Sequence, residues 1–254
     1  MILFRAFLIA MLAASCTVAV DVITLDGQVC QGTVNAFADR IRPFLSPPGV
    51  INDDQIDIGA YFSVLDLLTM EEGYELDFLY ESVEGGGFPV LIARPSDVST
   101  DEFAERFEEI FSEEERESGA FRDKYLEYIR TNGSADAFFQ LSVLRLMGFH
   151  FYLSWHSLEF DDMVICGLEG VNELNLRLEA EGIAFDPVAD ETVRSISLAP
   201  VVETDTETVE VSFIAFTKYG GFERHLITFS REFPHALISY DAETVAFCWS
   251  GGIH

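Results

Sequence analysis

Residues 209–249 read VEVSFIAFTKYGGFERHLITFSREFPHALISYDAETVAFCW. Val209, Val211 and Phe213 alternate with Glu210 and Ser212, the period of two that sends successive side chains to opposite faces of a strand. Tyr219-Gly220-Gly221 has hairpin-turn composition, and the run behind it is rich in aromatic and β-branched residues. Reading outward in both directions predicts strands over Ser195 to Val202, Val209 to Thr217, Phe222 to Arg231, Ala236 to Tyr240 and Thr244 to Trp249. Links this short join antiparallel neighbours. No helix-length segment separates them, which excludes the parallel crossovers of a dinucleotide-binding sheet in this region.

Toward the N-terminus the apolar spacing becomes helical. Val34, Phe37, Ala38, Ile41 and Leu45 predict a helix over Thr33 to Leu45 that stops at Ser46-Pro47-Pro48-Gly49, because a double proline cannot continue it. Tyr61, Leu65 and Leu68 predict a second helix over Asp57 to Met70. Two extended runs, Glu75 to Ser82 and Phe88 to Arg94, flank Glu84-Gly85-Gly86-Gly87 and predict a β-hairpin. The triple glycine lacks the lysine and hydroxyl residue of a phosphate loop and leads into a strand, so its reading is a turn.

Ser99-Thr100-Asp101-Glu102 has the form of a capping box and opens a helix with Phe103, Phe107, Ile110 and Phe111 on its apolar stripe. The stretch 101–117 carries nine acidic residues against Arg106 and Arg116, which predicts one buried and one solvated face. Phe121, Tyr125, Tyr128 and Ile129 form another stripe, and Ser134 caps a strongly apolar helix ending at Gly148. Val171 to Ala180 fits either period. Phe149, Phe151, Leu153 and Trp155 then alternate with His150, Tyr152, Ser154 and His156, predicting a strand with which Met163 to Cys166 pairs.

The 254 residues carry 15 Lys and Arg against 44 Asp and Glu, a net charge of −29, which repels nucleic acid and anionic lipid surfaces alike. Arg5 followed by the uncharged run Ala6 to Val20 has the profile of a signal peptide and is too short to span a bilayer. Cleavage follows Ala19, or precedes Cys16, where Ala13-Ala14-Ser15 makes a loose lipobox with Leu12 one position too far back. The second route leaves a lipid anchor at Cys16; neither leaves a transmembrane helix.

Four cysteines, Cys16, Cys30, Cys166 and Cys248, include no pair at CxxC spacing, so no zinc site is indicated. Three disulfide pairings among Cys30, Cys166 and Cys248 are open, beside the reading as small buried hydrophobes. Asn52-Asp53-Asp54 with Asp57, and Glu203, Asp205 and Glu207, cluster carboxylates without EF-hand spacing and read as solvated loops. No HExxH, GxSxG or Walker sequence occurs. The densest collection of reactive side chains is His150 to Asp162. Within it His156, Glu159 and Asp161 are the candidate acid/base residues; as strand neighbours His150 and His156 stand about 20 Å apart and cannot share a metal ion.

These readings assemble into a signal peptide over 1–19 and one α+β domain over 20–254, with an N-terminal helical part carrying a β-hairpin and a C-terminal antiparallel sheet. The expected function is that of an exported binding or accessory protein, secreted or held at the cell envelope, non-catalytic and without cofactor or metal. The alternative is an exported hydrolase using His156 with Asp161 or a cysteine. A deep pocket converging on those residues favours the enzyme, and a flat exposed aromatic patch favours binding.

Overall fold

A computed structural model describes residues 19–44, 56–83, 86–152, 162–217 and 220–247. The leader, Cys16, the first acidic cluster up to Asp54, Glu84-Gly85, Trp155, His156, Glu159, Asp161 and Cys248 lie outside them.

The chain runs through β1 (Asp21–Thr24), α1 (Gly27–Ile41), a 3-10 turn at Arg42–Phe44, α2 (Ile58–Phe62), β2 (Leu68–Met70), β3 (Tyr74–Val83) and β4 (Gly86–Pro95). Short helices α3 (Thr100–Glu105), α4 (Phe107–Ile110) and α5 (Glu113–Ser118) lead to a 3-10 helix over Ala120–Tyr128, then β5 (Ile129–Thr131) and α6 (Ala135–Met147). The rest is β6 (Met163–Ile165), α7 (Leu168–Ala180), α8 (Pro187–Ser195), β7 (Val201–Thr204), β8 (Thr208–Thr217), β9 (Gly221–Ser230) and β10 (Leu237–Ala246). The architecture is α+β, with an N-terminal helical part, a β3–β4 hairpin and a C-terminal antiparallel sheet.

That sheet has the order β1-β7-β8-β9-β10, and β6 also pairs with β8. One edge of β8 is shared, its first half by β7 (Val201 opposite Ser212) and its second half by β6 (Ile165 opposite Ile214). The burial of β8 follows this division. Val209, Val211 and Phe213 are buried while Glu210 and Ser212 are not; beyond them Ile214, Ala215 and Phe216 are buried without interruption. Val209, Val211, Phe213, Ala215, Ile227 and Phe229 face the main core with α1 and α6. Ile214, Phe216 and Phe222 face a second core built by Val171, Leu174 and Leu178 of α7 and Ala189 and Val193 of α8. The sheet is covered on both faces where its sequence is apolar throughout, and on one face where it alternates.

Several expectations are corrected. The helix expected over Asp57 to Met70 is one short turn, α2, capped by Asp57; the buried Gln140 of α6 holds the chain open beyond it, accepting from Leu67 N at 3.0 Å and donating to Asp66 Oδ1 at 3.1 Å. Leu68–Met70 then pairs with β5, outside the scope of a periodicity argument. The helix from Ser99 is interrupted at Arg106 and again at Phe111, which is extended, while Gly119 in the left-handed region turns the chain so that Phe121 meets Phe107 and Phe111. The stripe from Phe121 is a 3-10 helix, and Ile129 opens a strand.

Helices are not confined to the N-terminal part: α7 resolves the ambiguous segment, and α8, capped by Asp186 and starting at Pro187, ends at Ser195, where the sequence predicts the start of a strand. Ala236 to Tyr240 and Thr244 to Trp249 belong to a single β10 as far as Ala246. The alternating strand from Phe149 fails over its described part. His150, Phe151 and Tyr152 are all buried, and Tyr152 has φ 51°. Phe151 packs edge-on against Phe78 at 4.9 Å, Tyr152 N donates to Phe44 O at 2.6 Å, and Tyr80 and Tyr61 donate to Tyr152 O and Gly148 O at 3.0 and 2.9 Å. Phe151 and Tyr152 both pack against Phe78 of the hairpin, so the described part of the segment joins hairpin and main core. Met163–Ile165 pairs with β8.

Candidate functional site

Arg145 is the one charged residue in the apolar sequence FFQLSVLRLM of α6. A guanidinium placed there must be paired, and its partners build a site. Asp123, on the 3-10 helix, receives Nη2 on Oδ2 at 3.1 Å; Nε stands 3.0 Å from Oδ1 without the alignment of a hydrogen bond. On the other side the guanidinium lies over the Tyr240 ring at 4.2 Å, a cation–π contact strengthened by desolvation.

Tyr240 continues the network into the sheet. Residue 242 of β10 stands opposite His225, so Tyr240 is its diagonal neighbour on the same face, and its Oη lies 3.0 Å from His225 Nδ1. The His225 ring is stacked on Phe213 at 5.4 Å. Burial pulls this imidazole down to about 4, so it is neutral at pH 7. Its Nε2 has no hydrogen-bond partner among the described residues, and Glu223 Oε2 is 3.9 Å away. Burial first, and then the Asp162 carboxylate, raises the pKa of Glu223. Asp162, at φ 50°, places its Oδ2 2.8 Å from His150 Nε2.

Of these groups Asp123, Arg145, Asp162 and Tyr240 border a cleft of about 340 Å³ between β4, the 3-10 helix, α6 and β10. Phe88, Leu91, Leu146 and Phe149 supply its apolar walls, and Arg122, Asp123, Tyr125, Arg145, Asp162 and Tyr240 its polar ones. Tyr125 differs from the others. It is 3% exposed, and its Oη has no hydrogen-bond partner among the described residues. Burial, followed by the Asp123 carboxylate, pushes this phenol well above its ordinary pKa, so it remains protonated as a donor. Arg122 guards the rim, within 3.4 Å of Glu81 and 4.7 Å from the centre of the Phe88 ring.

Among the candidates from the sequence, His156, Glu159 and Asp161 lie outside the described residues, but the two ends of their segment, His150 and Asp162, are brought together at the cleft. Cys30 and Cys166 are buried elsewhere, beside α1. Asp205 accepts Glu207 N and Thr208 N at 2.7 and 2.6 Å, which gives that acidic cluster a turn-forming role. The groups missed, Arg145 and His225 above all, carry a readable signal: each is polar at a position whose helical or strand period points into the core.

No family model, curated protein or solved structure matches the chain.

Proposed function

We propose that this is an exported, non-catalytic binding protein that seats a small, largely apolar molecule in the cleft beneath Arg145, with a hydrogen-bond acceptor of that molecule meeting Tyr125 Oη. The observation that carries the reading is Tyr125. A buried hydroxyl left without a partner costs about 1 to 3 kcal/mol, and an acceptor delivered by a ligand removes that cost. The apolar walls offer a surface for the body of the molecule, and the volume of about 340 Å³ lies at the small end of ligand pockets.

The remaining polar groups are engaged with one another: Arg145 with Asp123 and Tyr240, His150 with Asp162, His225 with Tyr240. They form a frame rather than an attacking group with its base. Neither described cysteine lines the cleft, and burial drives the Cys166 thiol far above the range in which it is nucleophilic. The alternative, an exported hydrolase, rests on His156 with Asp161 or a cysteine. The leader-like residues 1–19 and the acidic surface support export.

The test is ligand-observed NMR with a panel of aromatic ketones, amides and alcohols against the full chain. Fragments are expected to bind the native protein and to bind Tyr125→Phe about tenfold more weakly, a single lost hydrogen bond. The same substitution is expected to leave the unligated fold equally stable or up to about 1 kcal/mol more stable, since it deletes an unpaired buried group. Binding indifferent to Tyr125→Phe, or a large loss of stability, overturns the reading.

A further inference from the structure

Cys30 sits on α1 and Cys166 follows β6, far apart in sequence, and both are buried, at 3% and 1% exposure. Three residues of the first turns of α1, at positions 27, 30 and 31, share the helix face turned toward Cys166. Gly27 lies so close that a Cβ there would stand 2.6 Å from the Cys166 carbonyl oxygen, so a glycine is needed for the approach. Gln31, buried beside it, accepts Cys166 N on Oε1 at 3.0 Å and is steadied by donating Nε2 to Asn35 Oδ1 at 2.9 Å. Cys30 falls between these two fixed contacts, and both it and Cys166 are free, buried thiols.

We infer that Cys30 and Cys166 form a disulfide when the chain folds under oxidising conditions, a covalent staple between α1 and the end of β6. Each thiol gives up its hydrogen, two electrons pass to the oxidant, and one S–S bond forms. A small-molecule disulfide such as oxidised glutathione serves as oxidant, passing through a mixed disulfide and leaving as two thiols. Because both sulfurs are buried, oxidation is expected during folding rather than after it. Closing a loop this long restricts the unfolded chain, so the linked protein is expected to melt roughly 5 to 15 °C above the reduced one. The inference draws on the proposal of export for the oxidising surroundings in which the bond forms in the cell, but its chemistry is tested outside the cell, so either can fail alone.

The experiment refolds the full chain in a glutathione redox buffer, blocks remaining thiols with N-ethylmaleimide and maps peptides without reduction. The expected product is a cross-linked pair of peptides containing Cys30 and Cys166, lighter by two hydrogens than the separate peptides, with Cys16 and Cys248 alkylated. Cys30→Ala and Cys166→Ala are each expected to abolish the difference in melting temperature between oxidised and reduced samples, and Cys248→Ala to keep it. Comparing every variant with and without reductant separates a packing defect, present in both buffers, from loss of the bond, seen only without reductant. A link from Cys248 to either cysteine, or full alkylation of Cys30 and Cys166 after refolding in oxidised glutathione, overturns the inference. If the bond forms in vitro but is missing from protein recovered from its host, the proposal of export fails and the geometry stands.

Discussion

The C-terminal sheet and the hairpin β3–β4 are both antiparallel, yet they are buried by opposite means. Where its sequence is apolar throughout, the sheet is closed on both faces, by α1 and α6 on one side and α7 and α8 on the other. The hairpin turns Leu76, Phe78 and Leu91 into the main core but Val90 and Ile92 outward, into a satellite cluster with Phe103, Phe111 and Phe121. Its cover is three helices of four to six residues, bearing all nine acidic side chains of 101–117. Gaps of about 310 and 620 Å³ remain between this cover and the strands. The cover is a ring-on-ring aromatic contact working against self-repulsion, whereas the sheet is a continuous apolar interior. The candidate cleft lies where the two regions meet, with β4 on one wall and β10 on another.

The largest expected effect separates the two regions outright. Phe229→Ala, in the main core, is expected to lower the stability of the whole chain by about 3 to 5 kcal/mol, the cost of deleting a fully buried ring. Phe111→Ala, at 9% exposure in the satellite, is expected to speed amide exchange across residues 100–128 while shifting the global urea midpoint far less. Equal loss in both variants, with one shared transition, breaks the distinction and makes the satellite part of the same cooperative unit.

The second prediction uses pH and concerns the sheet. His225 titrates near 6.5 when unfolded and at about 4 when buried, so between those values the unfolded chain holds the extra proton. Stability from this group is therefore complete above pH 6.5, falls as the pH is lowered through the window, and levels off below about 4. The span corresponds to about 3 kcal/mol at most. Burial also depresses His235, which adds a slope of the same sign. Urea unfolding of His225→Gln is expected to show a shallower decline between pH 6.5 and 4.5 than the native protein. Parallel curves place the origin of the decline elsewhere.

What could be read in advance follows the same division. The β8–β9 pair, the hairpin and α6 were legible because each has clear turn residues or caps of its own: Gly220-Gly221, the glycines after Glu84, and Ser134 with Gly148; β7 begins at Val201 rather than Ser195, and β10 is one strand where the sequence predicts two. Elements set by remote partners were not. Nothing local to Asp66 and Leu67 announces that Gln140 will hold them out of a helix, and the pairing of β2 with β5 or of β1 with β7 joins segments far apart in sequence. The site was half legible. For the stretch from His150 to Asp162 a strand reading sets the ends far apart, whereas His150 and Asp162 close on each other at 2.8 Å. Tyr125 was assigned to a buried stripe, correctly, and only the packing around it shows that its hydroxyl is left without a partner.

The smallest expected effect probes the cover. Ser112 caps α5 reciprocally: Glu115 N donates to Ser112 Oγ at 3.3 Å, and Glu115 Oε2 accepts Ser112 N at 2.9 Å. The bonds from Ser112, the backbone amide first, hold the Glu115 carboxyl below its ordinary pKa, with Lys124 adding to the effect. Ser112→Ala removes half of this box and typically costs about 1 kcal/mol of helix stability. Because α5 buries no residue of its own, that loss has no packing to fall back on, and it is expected to surface as faster exchange of amides 113–118 with the global midpoint unchanged. The acidic run sharpens the measurement. Its carboxylates repel across distances comparable to the Debye length at about 0.1 M salt, so the acceleration is expected to be larger near 0.01 M NaCl and smaller near 1 M. A Ser112→Ala effect that ignores salt, or one that moves the global midpoint as far as Phe229→Ala does, shows the cover to be held by something other than aromatic contact and local caps against repulsion.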